Sequence, residues 1–100
     1  KKDKMMDNHN HNEHVVQIQV ARDDRYKQIV HIMEIENIVS MGEFVRNSCV
    51  NLGIDPDTEN GFTKNVELWA KGGQLEYDPN QSVREAGIHM IGTIVFKCLY

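Results

Sequence analysis

A strict alternation of apolar and polar residues near the start of the chain constrains its fold more than any other feature. In residues 14–21, HVVQIQVA, three apolar side chains alternate with two glutamines, which is the pattern of a half-buried β-strand. Residues 22–25 are polar and suit a turn, and residues 26–36, YKQIVHIMEIE, are again rich in Ile and Val. Because β-branched side chains favour extended backbone, the two runs predict an antiparallel β-hairpin.

Residues 26–36 also fit a second interpretation. Tyr26, Ile29 and Met33 have helical spacing and follow two aspartates that could cap a helix. This alternative makes the chain all-α, with helices throughout residues 23–52.

The best-marked helix of the sequence begins after Ser40. Residues 40–43, SMGE, form a capping box, in which the Ser hydroxyl accepts from a backbone N–H three residues on and Glu43 reaches back. Gly53 is typical of a left-handed helix end, and Pro56 prevents continuation. These signals predict a helix over residues 41–52.

The second half of the chain predicts two further helices. A short one spans residues 64–71 and is closed by two glycines, and residues 74–77 form an extended link. A second capping box, Ser82 to Glu85, begins a longer helix whose apolar residues run at helical spacing to Cys98, although its last one or two turns are β-branched enough to form a strand. The sequence therefore predicts an α+β fold, with an N-terminal β-hairpin packed against two main helices and one short helix.

The apolar content divides the chain into a tail and one domain. Residues 1–13 contain two apolar side chains, both Met, too few to offset the entropy of ordering them. We therefore predict a disordered polar tail over residues 1–13 and a single small domain over residues 14–100. A predicted two-stranded hairpin leaves unpaired edges, so we expect a homo-oligomer, with a homodimer as its simplest form.

The charge pattern narrows the class of partner. The net charge is −4, and the basic residues are scattered singly, whereas nucleic acids and anionic membranes are bound by clusters of cations. No apolar run approaches the roughly 18 residues of a membrane span. We therefore expect neither nucleic acid nor membrane as partner, and instead a protein with a basic surface.

The two cysteines indicate a reducing compartment. Cys49 and Cys98 share no local motif and lie in apolar patterns, where free Cys usually behaves as a small buried hydrophobe. Two reduced core thiols are typical of a cytoplasmic protein.

One acidic loop offers ligands for a cation. Asp55, Asp57 and Glu59 supply oxygens at alternate positions, Gly61 provides a sharp turn, and Glu67 could close the site. The loop resembles the helix–loop–helix of the EF-hand family, which implies calcium. Its glycine and closing glutamate stand one position later than in that family.

Motifs for catalysis are absent from the sequence. The cysteines form no Cys-x-x-Cys pair, the serines lie in no nucleophile elbow, and Gly72-Gly73 lacks the Lys-Ser/Thr of a phosphate loop. We therefore expect no enzyme and no cofactor. The function we expect is that of a small acidic protein-binding module (an adaptor, inhibitor or regulatory subunit), with Trp69 and Tyr77 among its possible anchors. The alternative is calcium binding by Asp55, Asp57, Glu59 and Glu67.

Overall fold

The structure is a computed structural model that describes residues 14–23 and 28–99. The predicted tail, residues 1–13, lies outside the described residues. Within them the chain forms, in order, β1 (Val15–Asp23), β2 (Gln28–Glu36), α1 (Met41–Asn51), β3 (Thr58–Glu59), β4 (Phe62–Thr63), β5 (Val66–Ala70), β6 (Gly73–Leu75), α2 (Val83–Ala86), a 3₁₀ turn (Ile88–Met90) and β7 (Ile94–Cys98). The fold is mixed α+β, and the all-α alternative is wrong.

The predicted N-terminal hairpin is confirmed. β1 and β2 pair antiparallel over all nine residues of each strand. Ile18 and Val20 of β1 and Met33 and Ile35 of β2 are buried on one face. The helical interpretation of residues 26–36 fails because burial along β2 has a period of two, which only a strand provides.

The predicted helix over residues 41–52 is confirmed as α1, with Leu52 as its C-cap. The Ser40 hydroxyl accepts from the backbone N–H of Glu43 at 3.2 Å. At the other end Gly53 has a φ of +76°, and the Arg22 guanidinium of β1 donates to the carbonyl oxygens of Leu52 and Gly53. Backbone groups at both ends of α1 thus have hydrogen-bond partners, and the C-terminal end is hydrogen-bonded to strand β1 of the sheet.

The short helix predicted over residues 64–71 is wrong. This segment contains strand β5, which pairs antiparallel with β6 where an extended link was predicted. Val66 and Leu68 are buried, whereas the residues between and after them are only partly so, again a period of two. The two glycines close no helix: Gly72, with a φ of +110°, lies in the two-residue turn of the β5–β6 hairpin, and Gly73, with a φ of +142°, begins β6 opposite Ala70.

The second main helix predicted from Ser82 to Cys98 is wrong over most of its length, whereas the strand that its last turns also allowed is confirmed. Its capping box exists, but α2 ends after one turn at Gly87, whose φ is +67°. A 3₁₀ turn follows, Gly92 has a φ of +110°, and the β-branched segment forms strand β7 instead. Both α-helices of the described residues are too short and too polar to cross a bilayer.

The hairpin is part of a five-stranded sheet in the order β2-β1-β7-β5-β6. β1 and β7 are parallel, and the other neighbours are antiparallel. α1 covers one face, where Phe44 of α1 meets Phe96 of β7 edge-to-face with ring centroids 6.4 Å apart. We call this the inner face, and the opposite face of the sheet the outer face.

The acidic loop folds into a small hairpin that packs against the start of α1. Asn60 and Gly61 have φ values of +55° and +86° between β3 and β4, which is the type I′ turn favoured by an Asn-Gly pair. A Cβ at Gly61 would lie 2.8 Å from the Cβ of Pro79, and one at Gly42 of α1 would lie 2.7 Å from the Gly61 carbonyl oxygen. The turn therefore needs glycine both for its backbone and for its packing.

We expect Gly61→Ala to lower the free energy of unfolding by about 2–4 kcal/mol, since it combines left-handed strain with a steric clash. Gly72→Ala is the matched control: its φ is also positive, but no atom lies within 4 Å of the added Cβ, so only the strain of about 1–2 kcal/mol remains. Urea unfolding followed by circular dichroism measures both. Equal losses would show that the contact with Pro79 does not constrain the turn.

Candidate functional site

A row of apolar side chains crosses the outer face over four of the five strands. The pairing registers place Val30 of β2 opposite Ala21 of β1, Ala21 beside Val95 of β7, and Val95 opposite Trp69 of β5. Ile32 lies two residues from Val30 on the same face of β2. Since neighbouring strands are about 4.8 Å apart, the row is roughly 14 Å long. We call these five residues the outer strip.

Solvent reaches the outer strip along its whole length. Val30 is 60% exposed and Ile32 59% exposed, and the other three side chains are partly exposed. Branched apolar side chains at this exposure contribute nothing to the core, and side by side they form a patch rather than isolated surface residues.

Trp69 is held in position by its neighbours on the outer face. Its indole Nε1 donates to Oε1 of Glu67 at 3.1 Å, and Nζ of Lys97 lies 4.2 Å from the ring centroid. A hydrogen bond and a cation–π contact therefore fix the ring before any partner arrives. Trp is the residue type most enriched among binding hot spots, and a fixed ring loses little entropy on binding.

Acidic groups surround the outer strip. On the strands that form it, the described charged side chains of the outer face are four carboxylates and one ammonium: Asp23, Glu34, Glu36, Glu67 and Lys97. Glu34 accepts from Nε2 of Gln17 at 3.0 Å, which holds one carboxylate in place. The arrangement combines an apolar centre with an acidic border.

Of the four residues predicted to bind a cation, the structure keeps three in one hairpin loop and places Glu67 on a strand of the sheet. Asp57 and Glu59 lie beside Nζ of Lys64, at 3.9 Å and 3.3 Å. The backbone carbonyl of Asp55 accepts from the Asn65 side chain, while Glu67 belongs to the outer face. Within the described residues, no three His, Cys, Asp or Glu side chains are grouped as metal ligands. Calcium binding by this loop stays a prediction from the sequence pattern.

The two cysteines are free, and one of them is strongly perturbed. Cys49 is fully buried in α1. Burial, together with the charge that the Cys98 thiolate would carry, raises the pKa of Cys49 from 9.0 to about 12. A thiol with such a pKa is protonated and unreactive at neutral pH.

Of the two predicted anchors named above, Trp69 belongs to the outer strip and Tyr77 does not. Tyr77 packs against Phe62 with ring centroids 5.4 Å apart, and its hydroxyl accepts from the Thr63 backbone N–H. Burial raises the pKa of Tyr77 above its usual range. The helix predicted over residues 64–71 gave Trp69 no contact with Val95 or Ala21; the alternation of residues 66–69, which indicates a strand, is the signal that could have found these neighbours.

Comparisons with known proteins show the fold and leave the family open. No protein family and no curated protein matches the chain. Among solved structures, a chain from the structure described as "Molecular Mimicry of SUMO promotes DNA repair" is similar with a TM-score of 0.54 and 15% sequence identity, over 86% of this chain and 96% of that one. At this identity the likeness concerns the architecture: this small α+β domain has the fold of that chain.

Proposed function

We propose that this chain is a non-catalytic protein-binding module that docks a partner on the outer strip. The observation that carries the proposal is the apolar row Val30–Ala21–Val95–Trp69, which stays accessible on the outer face while α1 covers the inner one. Contiguous exposed apolar patches on soluble domains commonly mark interaction sites. A rigid sheet that presents a fixed indole has the properties of a preorganised docking surface.

The charges on the outer face define the chemistry of the partner. Four carboxylates against one ammonium around the strip favour a partner that combines an apolar ridge with Lys or Arg on its flanks. The net charge of −4 also favours a basic partner, because it attracts positive charge over longer distances. A basic surface on the partner therefore provides steering, and the apolar ridge provides the buried contact.

The area of the outer face indicates a transient complex. Five strands about 4.8 Å apart and on average about six residues long give a face of about 500 Å², below the roughly 800 Å² per partner of a stable standard interface. An adaptor or regulatory subunit that binds and releases its partner fits this size. The structure that contains the similar chain is described as concerning molecular mimicry of SUMO, and mimicry of another protein acts through surface contacts, which supports a binding role here.

The single Trp of the chain allows a direct test of the proposal, because Trp69 lies within the outer strip. Peptides are selected on the full chain from a random dodecapeptide library and titrated while Trp69 emission is recorded. We expect the selected peptides to combine apolar with basic residues and to shift the emission. Raising NaCl from 50 to 500 mM should weaken binding, since the screening length falls to a few ångströms.

Two lysine substitutions, one on β1 and one on α1, locate the binding surface. Ala21→Lys puts a cation into the outer strip and should raise the peptide Kd at least about tenfold. Val50→Lys makes the same charge change at a 63% exposed position of α1, on the other side of the sheet, and should change the Kd no more than about twofold. Selected peptides that leave Trp69 emission unchanged, or that bind the Ala21→Lys variant as well as the wild type, would contradict the proposal.

A further inference from the structure

We infer that strand β2 pairs with β2 of a second copy of this chain, antiparallel and centred on His31, so that two sheets join edge to edge. This inference goes beyond the proposed function, because it uses the hydrogen-bonding edge of the sheet rather than its outer face. It rests on three observations: the character of the edge, the direction of its free hydrogen-bonding groups, and the self-complementarity of one register.

The two edges of the sheet differ sharply. The β6 edge is a strand of three residues, Gly73–Leu75, whereas the β2 edge has nine residues in continuous register with β1. Proteins protect exposed edges with short strands, bulges, Pro or Lys. β2 has no bulge, Pro or Lys, and its two charged side chains, Glu34 and Glu36, lie at one end of the sequence QIVHIMEIE, so the rest of its edge is open to a further strand.

The free hydrogen-bonding groups of β2 belong to its even-numbered residues. The Asn37 N–H donates to the His14 carbonyl oxygen at 2.7 Å. Because hydrogen-bonded pairs alternate along an antiparallel ladder, the backbone N–H and C=O groups of the odd-numbered residues of β2 point toward β1. Val30, Ile32 and Glu34 therefore direct their N–H and C=O groups away from the sheet. In the described part of the chain none of these backbone groups has a partner.

Two β2 strands can form antiparallel hydrogen bonds only in registers that place even-numbered residues of the two copies opposite each other. One of these registers gives more favourable side-chain pairs than those shifted toward the acidic end of β2. Centred on His31, it places Val30 opposite Ile32 of the second copy, and the reverse by symmetry. Glu34 then lies opposite position 28, a glutamine in the sequence. A shift to a centre at Ile32 puts Val30 opposite a carboxylate, and a centre at Glu34 brings two carboxylates together, which is unfavourable.

The His31-centred register explains why the occupant is a second copy. A two-fold interface must be self-complementary, and here the two most exposed apolar residues of β2 cover each other while no acidic pair forms. The contact would also shield the flanks of Val30 and Ile32, which are 60% and 59% exposed, and would join the outer strips of both copies into one band. An extended peptide from another protein would gain the same backbone bonds without this match.

Disulfide trapping tests the register directly. His31 would face itself in a non-hydrogen-bonded pair with Cα atoms about 4.5 Å apart, within the range that a disulfide spans. In a Cys98→Ala background, His31→Cys oxidised by copper–phenanthroline should convert almost completely to a dimer that dithiothreitol reverses. Glu34→Cys is the control, because its two copies would lie roughly 20 Å apart, and it should stay monomeric.

Sedimentation equilibrium of the unmodified chain tests the association without any substitution and should show a monomer–dimer equilibrium. Ile32→Pro removes an outward N–H on each copy and should raise the dimer Kd at least about tenfold. A monomer at every concentration up to 1 mM, or equal cross-linking of the two cysteine variants, would overturn the inference. So would a monomer whose β2 amides become protected from hydrogen exchange when a selected peptide is added, since the occupant would then be a foreign strand.

Discussion

Replacing Phe96 by alanine is expected to lower the free energy of unfolding by about 3–5 kcal/mol. Phe96 is fully buried at the centre of β7, the strand that joins the N-terminal hairpin to β5. Its ring also meets Phe44 of α1 edge-to-face, so that truncation leaves a cavity between helix and sheet. A domain of this size has a stability of roughly 5–10 kcal/mol, and the loss would be a large fraction of it. Urea unfolding followed by circular dichroism measures the change.

Phe62→Ala is the matched control for this prediction. Phe62 is 45% exposed, and its main contact is with Tyr77, so the same truncation should cost no more than about 1.5 kcal/mol. If both variants lose the same stability, the contact between α1 and β7 is not the centre of the core.

The sequence was sufficient wherever the structure is local. The alternation in residues 14–21 predicted β1, and the capping box at Ser40 predicted α1 to within one residue. In both cases the signal and the element that it specifies lie within about a dozen residues. Periodicity and capping are properties of such short segments, which is why they could be recognised without the rest of the fold.

The second half of the chain was mispredicted because glycines were given the wrong role. Gly87 and Gly92 were placed inside a helix, whereas their positive φ values end α2 and release β7. The Asn60-Gly61 pair is a strong hairpin signal that was interpreted as part of a cation-binding loop. In each case the backbone conformation of the glycine determined the local structure, and the spacing of apolar residues alone does not indicate that conformation.

The outer strip could be predicted only in part. The strand that carries Val30 and Ile32 was predicted from the sequence, and Trp69 was named as a possible anchor. Their common surface depends on the parallel pairing of β1 with β7, which joins segments more than seventy residues apart in sequence. No periodic pattern encodes that contact, since strand order is fixed by the packing of the whole domain.

The Cys49 thiol should resist modification in the folded protein. At pH 8 a pKa of about 12 leaves about a thousandfold less thiolate than the unperturbed value of 9.0, and the side chain is fully buried. Iodoacetamide should therefore alkylate Cys98, which is partly exposed, at least about a hundredfold faster. Mass spectrometry of peptides from a time course measures both rates. In urea above the unfolding transition the two rates should converge, which separates burial from any local sequence effect.

The same pKa shift predicts how stability depends on pH. The folded-state pKa of Cys49 is raised above its unfolded value, so its thiol stabilises the fold fully below pH 9, and this contribution is lost as the pH rises toward 12. Cys49→Ala removes the titrating group and should flatten the fall in melting temperature between pH 9 and pH 11, although it lowers stability at neutral pH through the lost packing. Parallel curves for the two proteins, or alkylation of Cys49 at the rate of Cys98 in native buffer, would show that α1 opens to solvent around this residue.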